Sequence, residues 1–448
     1  MRYTMFFLFF TFFAGITVAS EPISLRKASE LLLEHNPKLA QNKNQSEIAR
    51  NGWLSARSAY LPQIDFIQTW SRSNNPVYVF GSLLNQQNFG PDNFAISSLN
   101  RPDPLNDVSS KLFANWLIFD FGRRESRLHS AEHRYQASTY ELAVSRASLL
   151  QELVKRFYGV SLAKQKMETA RDAVKTGEAR LEQARNRVEQ GMVVQTDLLS
   201  AQVYQSRRRQ EEIDAVNQYS LAIASLEELL GSGVDVADYT FPGLRKIDFP
   251  DQDLDAWISE MRKNRPELKA VDEMQRVARS DRSATRSSFL PTLNAWSAYE
   301  WHGDSLDYTG ENWGAGVELR WNLFRGFADA IALSSARMEA QSAEERKRET
   351  NNGLKLQVQS AYYQYAGAKE KLKVSGEAVQ EAEENRRIYA ERYNSGLVTI
   401  LDSLQAETAF NELRLLYTQN LYDLYVNYAS LLAAAGRSEE IPGLEEIR

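Results

Sequence analysis

The chain of 448 residues contains no cysteine. That excludes disulfides, thiol catalysis, thiolate metal sites and a lipid-modified N-terminal cysteine, so stability has to come from packing. Long apolar runs are missing beyond the N-terminus. Mean hydropathy is −0.48 and 25% of the residues are charged, which leaves no stretch there able to cross a membrane as a helix. A basic surplus is missing too: the net charge of −6 argues against a nucleic-acid partner, whose phosphates require a basic face. There is no P-loop and no dinucleotide-binding glycine pattern, and no proline between Arg123 and Phe241.

What is present begins with Met1-Arg2-Tyr3, a Phe-rich run from Phe6 to Phe13, and small residues Val18-Ala19-Ser20 before Glu21. This reads as a secretory signal peptide over 1–20. Short helices are expected over Ser24–His35 and from Asn36-Pro37 to Ala59, with a stop at Tyr60-Leu61-Pro62. The prolines recur: Pro37 and Pro62 have counterparts Pro266 and Pro291, both 229 positions on. The chain is therefore a duplication.

After each of Pro62 and Pro291 the apolar period changes from 3.6 to 2. Ile64, Phe66 and Trp70 alternate in one stretch, and Leu112, Ala114, Trp116 and Ile118 in another. In the second half the runs are Leu293, Ala295, Tyr299, Trp301, then Trp313, Ala315, Val317, Leu319, Trp321, Leu323. Four strands are expected, at about 63–71, 111–119, 292–301 and 312–323, each long enough to cross a bilayer when tilted. Six of the eight tryptophans lie in or beside them, as an aromatic girdle would place Trp70, Trp116, Trp313 and Trp321. A soluble sheet with one wet face alternates in the same way. Two isolated pairs make a poor sheet, however, and strands in lipid must close into a barrel, so several chains have to share one. Asn74–Ser109 reads as a loop rich in Asn, Pro, Gly and Ser at the outer end of the first pair.

Long helices follow each strand pair. Ala163, Met167, Ala170, Val174, Gly177, Leu181, Ala184 and Val188 form a heptad seam. It is repeated 205 positions later by Ala368, Leu372, Ser375, Val379, Ala382, Arg386, Tyr389 and Tyr393, in which Arg386 is the outlier. Each arm would span roughly 100 Å at 1.5 Å per residue. The arms end alike. Arg187–Ala201 and Arg392–Ala406 both stop a helix at glycine, Gly191 and Gly396, and restart it with an acid in the first turn, Asp197 and Asp402. Glycine accepts the left-handed C-cap conformation, and a carboxylate favours the positive end of the returning helix. Repeat 1 is assigned to 21–231, an inter-repeat linker to 232–255, repeat 2 to 256–436 and a flexible tail to 437–448.

Two motifs raise chemistry. His129-Ser130-Ala131-Glu132-His133 fits the H-x-x-E-H pattern of certain zinc peptidases; the plainer reading is two surface histidines on a charged helix with no matching downstream carboxylate motif. Ser161-Leu162-Ala163-Lys164 fits S-x-x-K without its companion motifs. No enzyme, cofactor or metal site is expected.

Signal, duplicated helix-Pro-strand-strand-helix units, coiled-coil hairpins and Gly-x5-Asp tips together resemble the TolC-type outer membrane efflux protein family over nearly the whole mature chain. The specific features are Leu61-Pro62 with Leu290-Pro291, the corners Trp116–Arg123 and Trp321–Gly326, and the two tips. The resemblance implies a mainly α fold with a small membrane β part: a trimer whose four strands per chain form a twelve-stranded barrel, continued by an α-helical periplasmic tunnel. It implies an outer-membrane channel for efflux or type I secretion, working with a periplasmic adaptor and an inner-membrane transporter. It also implies an aperture at Asp402, with Gln405 where the family has a second aspartate, and a latch between Tyr393 and Asp197 of the neighbouring tip. Gly191, Thr196, Gly396 and Val398 would meet the adaptor, Val398 standing where some members carry a basic residue. Three Asp402 carboxylates near one axis would repel and raise their apparent pKa. A periplasmic coiled-coil adaptor is the competing class.

Overall fold

A computed structural model describes residues 22–231, 233–236, 239–250 and 252–446; the expected signal peptide lies outside them. In chain order the elements are α1 (Leu25–His35), α2 (Pro37–Ser58), β1 (Gln63–Ser73), α3 (Pro76–Asn85), α4 (Ile96–Asn100), β2 (Leu105–Phe119), α5 (Arg123–Glu189) and α6 (Gln195–Leu230). The second half adds α7 (Leu254–Asn264), α8 (Pro266–Arg286), β3 (Thr292–Gly303), β4 (Gly310–Arg320), α9 (Ala328–Asn394) and α10 (Ile400–Ala435), with a closing 3-10 segment Ser438–Glu446. The duplication is reproduced in length: α5 and α9 each have 67 residues, α6 and α10 each 36. Among the described residues no helix is long and apolar enough to cross a membrane. The chain divides into two compact units.

One unit comprises Gln41–Val144 and Pro266–Gly353 and holds the sheet. Its strands run in the order β1-β2-β3-β4, all antiparallel. The ladders extend from Gln63 opposite Asn115 to Ser73 opposite Leu105, from Phe119 opposite Leu293 to Val108 opposite Gly303, and from Thr292 opposite Arg320 to His302 opposite Gly310. Because side chains alternate, these registers sort the residues onto two faces. Ile64, Phe66, Trp70, Leu112, Trp116, Tyr299, Trp313, Val317 and Leu319 share one, and Asp65, Thr69, Asp107, Lys111, Asn115, Glu300, His302, Glu318 and Arg320 share the other.

Several bounds differ from expectation. β4 stops at Arg320, short of Trp321 and Leu323, because its partner β3 begins only after Pro291, which has no N–H for a ladder. β2 begins at Leu105, since β1 runs on to Ser73 and keeps it paired. The expected loop 74–109 contains α3, started by Pro76 at its first turn and by Asn75, whose Oδ1 accepts from the Val77 and Tyr78 amides.

The corners that join strands to helices use the same device twice. Trp116 Nε1 donates to the Tyr60 carbonyl at 2.9 Å and Trp321 Nε1 to the Phe289 carbonyl at 3.0 Å; each acceptor lies two residues before a duplicated proline. Positive φ at Phe121, Gly122, Gly326 and Phe327 turns the chain there, and Arg124 ties the first corner to the Ala59, Leu117 and Ile118 carbonyls.

The other unit comprises residues 22–40, 145–265 and 354–446. Its core contains Phe157, Tyr158, Phe241, Phe249, Tyr425 and Tyr428, with Phe249 stacked on Tyr428 at 4.2 Å and Tyr158 against Tyr425 at 4.3 Å. The segment assigned as linker is thus packed, Val236, Phe241, Ile247 and Phe249 all being buried. The tail assigned as flexible is docked over its described part: Ile441 and Leu444 are fully buried, the Glu445 carboxylate accepts from the Leu25 amide at 3.0 Å, and Arg26 pairs with Glu446 at 2.7 Å. Two apolar side chains and a helix N-terminus in need of an acceptor hold it.

Candidate channel gate and barrel face

Both tips end their long helix in a Schellman motif. The Met192 amide reaches the Arg187 carbonyl and Gly191 that of Val188; Leu397 reaches Arg392 and Gly396 reaches Tyr393. The glycines have φ of +69° and +74°, the left-handed region that favours glycine. The returning helices differ. Thr399 and Asp402 form a capping box, Asp402 Oδ2 accepting from the Thr399 amide at 2.9 Å and from its hydroxyl at 2.6 Å. Val194, at the matching position of the first tip, has no side-chain cap. The hydrogen bonds from Thr399 hold the Asp402 carboxyl below the ordinary aspartate range. Within one chain Asp402 is thus a helix-capping acid. The upward shift expected from three converging carboxylates is a property of an assembly.

Beneath the tips lies one shared core. Ala184, Ala201 and Tyr204 from the first hairpin pack with Tyr393, Ile400 and Leu404 from the second, and Leu181, Leu198 and Val398 flank them. Val398 therefore contributes apolar packing. Thr196 and Gln405 are exposed, and Asp197 is half-buried.

Within the single chain no hydrogen bond joins Tyr393 to Asp197. The Tyr393 hydroxyl is buried without a hydrogen-bond partner, and burial first, with the Asp197 charge adding, pushes its pKa up against the opposing Arg187. Arg187 makes the junction between the two hairpins of the chain. Its guanidinium lies 4.5 Å from the Tyr393 ring centroid and donates to the carbonyls of Tyr393 at 2.8 Å and Asn394 at 3.0 Å, while Gln183 Nε2 reaches Asn394 Oδ1 at 2.8 Å. A planar fork suits two neighbouring carbonyls at a helix C-terminus. Arg386, the outlier in the seam, also has a partner: it ion-pairs with buried Glu407 at 3.4 Å and stacks over Phe410 at 4.2 Å.

On the sheet, the apolar face is uncovered in the single chain except toward the β3–β4 loop, where Val108 and Ser110 are buried and Ser110 meets the Tyr308 hydroxyl. Trp70 is 66% exposed and Trp313 79%, and Trp116 and Trp321 are about half exposed. The histidine motif is divided between different partners, His129 with Glu125 and Glu132, and His133 with Glu273 at 2.7 Å. Among the described residues no group of three His, Cys, Asp or Glu could hold a metal ion.

A family model described as outer membrane efflux protein matches residues 28–232 and 257–437. The chain belongs to this family. The alkaline protease secretion protein AprF of Pseudomonas aeruginosa is 25% identical over 98% of this chain and 90% of its own length. The outer membrane protein TolC of Vibrio cholerae is 23% identical over 91% and 89%. Among solved structures, the Campylobacter jejuni CmeC outer membrane channel superposes with a TM-score of 0.80 at 15% identity, over 98% of this chain and 94% of the other. This outer membrane efflux protein therefore has the TolC-like channel-tunnel fold and is an outer-membrane channel component of efflux or secretion machinery, with its helical part in the periplasm. The family consists of channel proteins, and the adaptor reading falls with that assignment.

Proposed function

We propose that three copies of this efflux family member close a single barrel and form a gated exit for small molecules or polypeptides passed on by an inner-membrane transporter and its periplasmic adaptor. One observation carries the reading: an antiparallel sheet of four strands with β1 and β4 open at its edges and a tryptophan-rich apolar face. An open edge in lipid leaves backbone groups without partners, so the sheet has to be completed by other chains.

The gate is assigned to the tips. Asp402 and Gln405 on the second tip form the narrowing, Arg187 and Tyr393 join the hairpins behind it, and Asp197 of a neighbouring tip is the latch partner of Tyr393 in the assembly. Gly191, Thr196, Gly396 and Val398 lie where an adaptor would engage. Trp70, Trp116, Trp313 and Trp321 meet the outer-membrane lipid. Opening consists of parting the tips, and the chain supplies no energy of its own.

Detergent extraction of an outer-membrane fraction tests the assembly: a complex of about three chains is expected, and a monomer released without detergent overturns it. In planar bilayers Asp402→Asn is expected to weaken block by a multivalent cation. Unchanged block removes Asp402 from the gate.

A further inference from the structure

Building on the channel reading, we infer that the chain carries a second constriction at the end of the sheet remote from the helices, formed by the segment 74–104 and seated by Gln86 and Gly310. By connectivity this is the outward end, because β1 and β2 are joined there through the short helices α3 and α4, and β3 and β4 by a short loop, while their other ends lead to α2, α5, α8 and α9.

The segment is folded back over the polar face. Tyr78 and Ser71 of β1 share a hydrogen bond of 2.7 Å. Gln86 is fully buried, and its Nε2 is within 2.9 Å of the Asn106 carbonyl, 3.1 Å of Asp107 Oδ1 and 3.2 Å of the Gly303 carbonyl. On the far side Asn312 of β4 donates to the Asn85 carbonyl at 3.3 Å, and Thr309 to that of Gln86 at 2.6 Å. Ser71, Asp107, Gly310 and Asn312 all fall on the polar face by register. His302, buried on the same face, bonds Asp107 at 3.2 Å and so steadies one of the acceptors for Gln86. The segment thus bridges from β1 to β4 across the face that a closed barrel turns inward.

Two further observations distinguish a seated body from a slack loop. Phe80, Phe89 and Phe94 form edge-to-face pairs at 4.9 and 5.0 Å, an aromatic cluster within the segment. Gly310 is also required for the close approach: a Cβ there would sit 2.1 Å from the Asn85 carbonyl oxygen and 2.9 Å from the Gln86 carbonyl carbon. Val77, Phe94 and Ile96 of the segment are exposed. Three copies around one mouth narrow it with apolar side chains held on polar ties, and so set the width of solute that leaves.

The test uses the cysteine-free full chain in whole cells, with Asn115→Cys on the polar face toward the helical end. A small maleimide added outside is expected to label it readily, and a bulky polyethylene-glycol maleimide slowly. Gln86→Ala, which cuts the tie, and Gly310→Ala, which pushes the segment from the strand side, are each expected to speed the bulky label roughly tenfold, the shift that one or two net hydrogen bonds produce. The small-label rate should hold. Equal bulky-label rates in the parent and in both variants overturn the constriction. Failure of the small label in every background instead overturns the polar face as a lumen, and with it the channel reading. Heat-stable oligomers on gels verify assembly; should Gln86→Ala fail there, Gly310→Ala and Asn312→Ala carry the same comparison.

Discussion

At the scale of single residues, the tip glycines and Asp402 could be read from sequence because each acts on its own helix end: glycine for a left-handed cap, an acid for a free N-terminus. Arg187 could not, because its acceptors are carbonyls 206 and 207 positions away and nothing in the heptad period marks it. Arg187→Ala should loosen the joined tips by on the order of 1–2 kcal/mol, two charge-assisted bonds discounted for partial exposure, and raise the open fraction about tenfold in planar bilayers. Arg187→Lys should recover only part, since an ammonium lacks the planar fork. Unaltered gating in both variants would refute the junction. Asp402 adds a pH readout. Its folded-state pKa is depressed by Thr399, so the cap contributes stability above the unfolded value and loses it as pH falls through the folded one. Crowding three carboxylates acts in the opposite direction. Titrating cation block therefore decides between them: a midpoint below the ordinary aspartate value means capping dominates, and one above it means the three carboxylates converge.

At the scale of elements, period and punctuation carried most of the helices and strands, and they failed where tertiary packing overrides composition. The tail is polar enough to read as loose, yet Ile441 and Leu444 find a buried site and Glu445 serves as acceptor for α1. The stretch 74–109 is rich in turn formers, yet Asn75-Pro76 is a helix start of the ordinary kind. The tail makes a test possible. Burial raises the Glu445 pKa, more than the Leu25 amide and the Arg245 charge lower it. A raised folded-state pKa means stability that is fully present below the unfolded carboxylate value and is lost as pH rises through the folded one. Glu445→Gln keeps an acceptor for the Leu25 amide and removes the buried charge. It should raise the thermal midpoint at neutral pH and make no difference well below the carboxylate range; a lowered midpoint at neutral pH would show that the charge stabilises the dock. Leu444→Ala should cost about 2–5 kcal/mol at either pH.

At the scale of the whole molecule, the number of strands has a consequence that composition alone does not reveal. Strand direction alternates through the sheet, so β1 and β4 run oppositely, and β4 of one copy can meet β1 of the next in the same antiparallel sense as every pair inside the chain. An even strand count per chain lets identical copies close without a parallel seam, and the twist of each sheet curves the ring toward closure. A repeated heterologous contact either closes or grows into a filament, and the two outcomes are separable because the chain has no native thiol. Cysteine pairs placed one on β1 and one on β4, scanned over successive registers, should cross-link neighbours on oxidation. Closure predicts a ladder of one, two and three chains that ends at three, with the top band dominant in the matched register. A ladder continuing past three would mean that the edges pair without closing, and no ladder at any register would mean that β1 and β4 are not each other's partners.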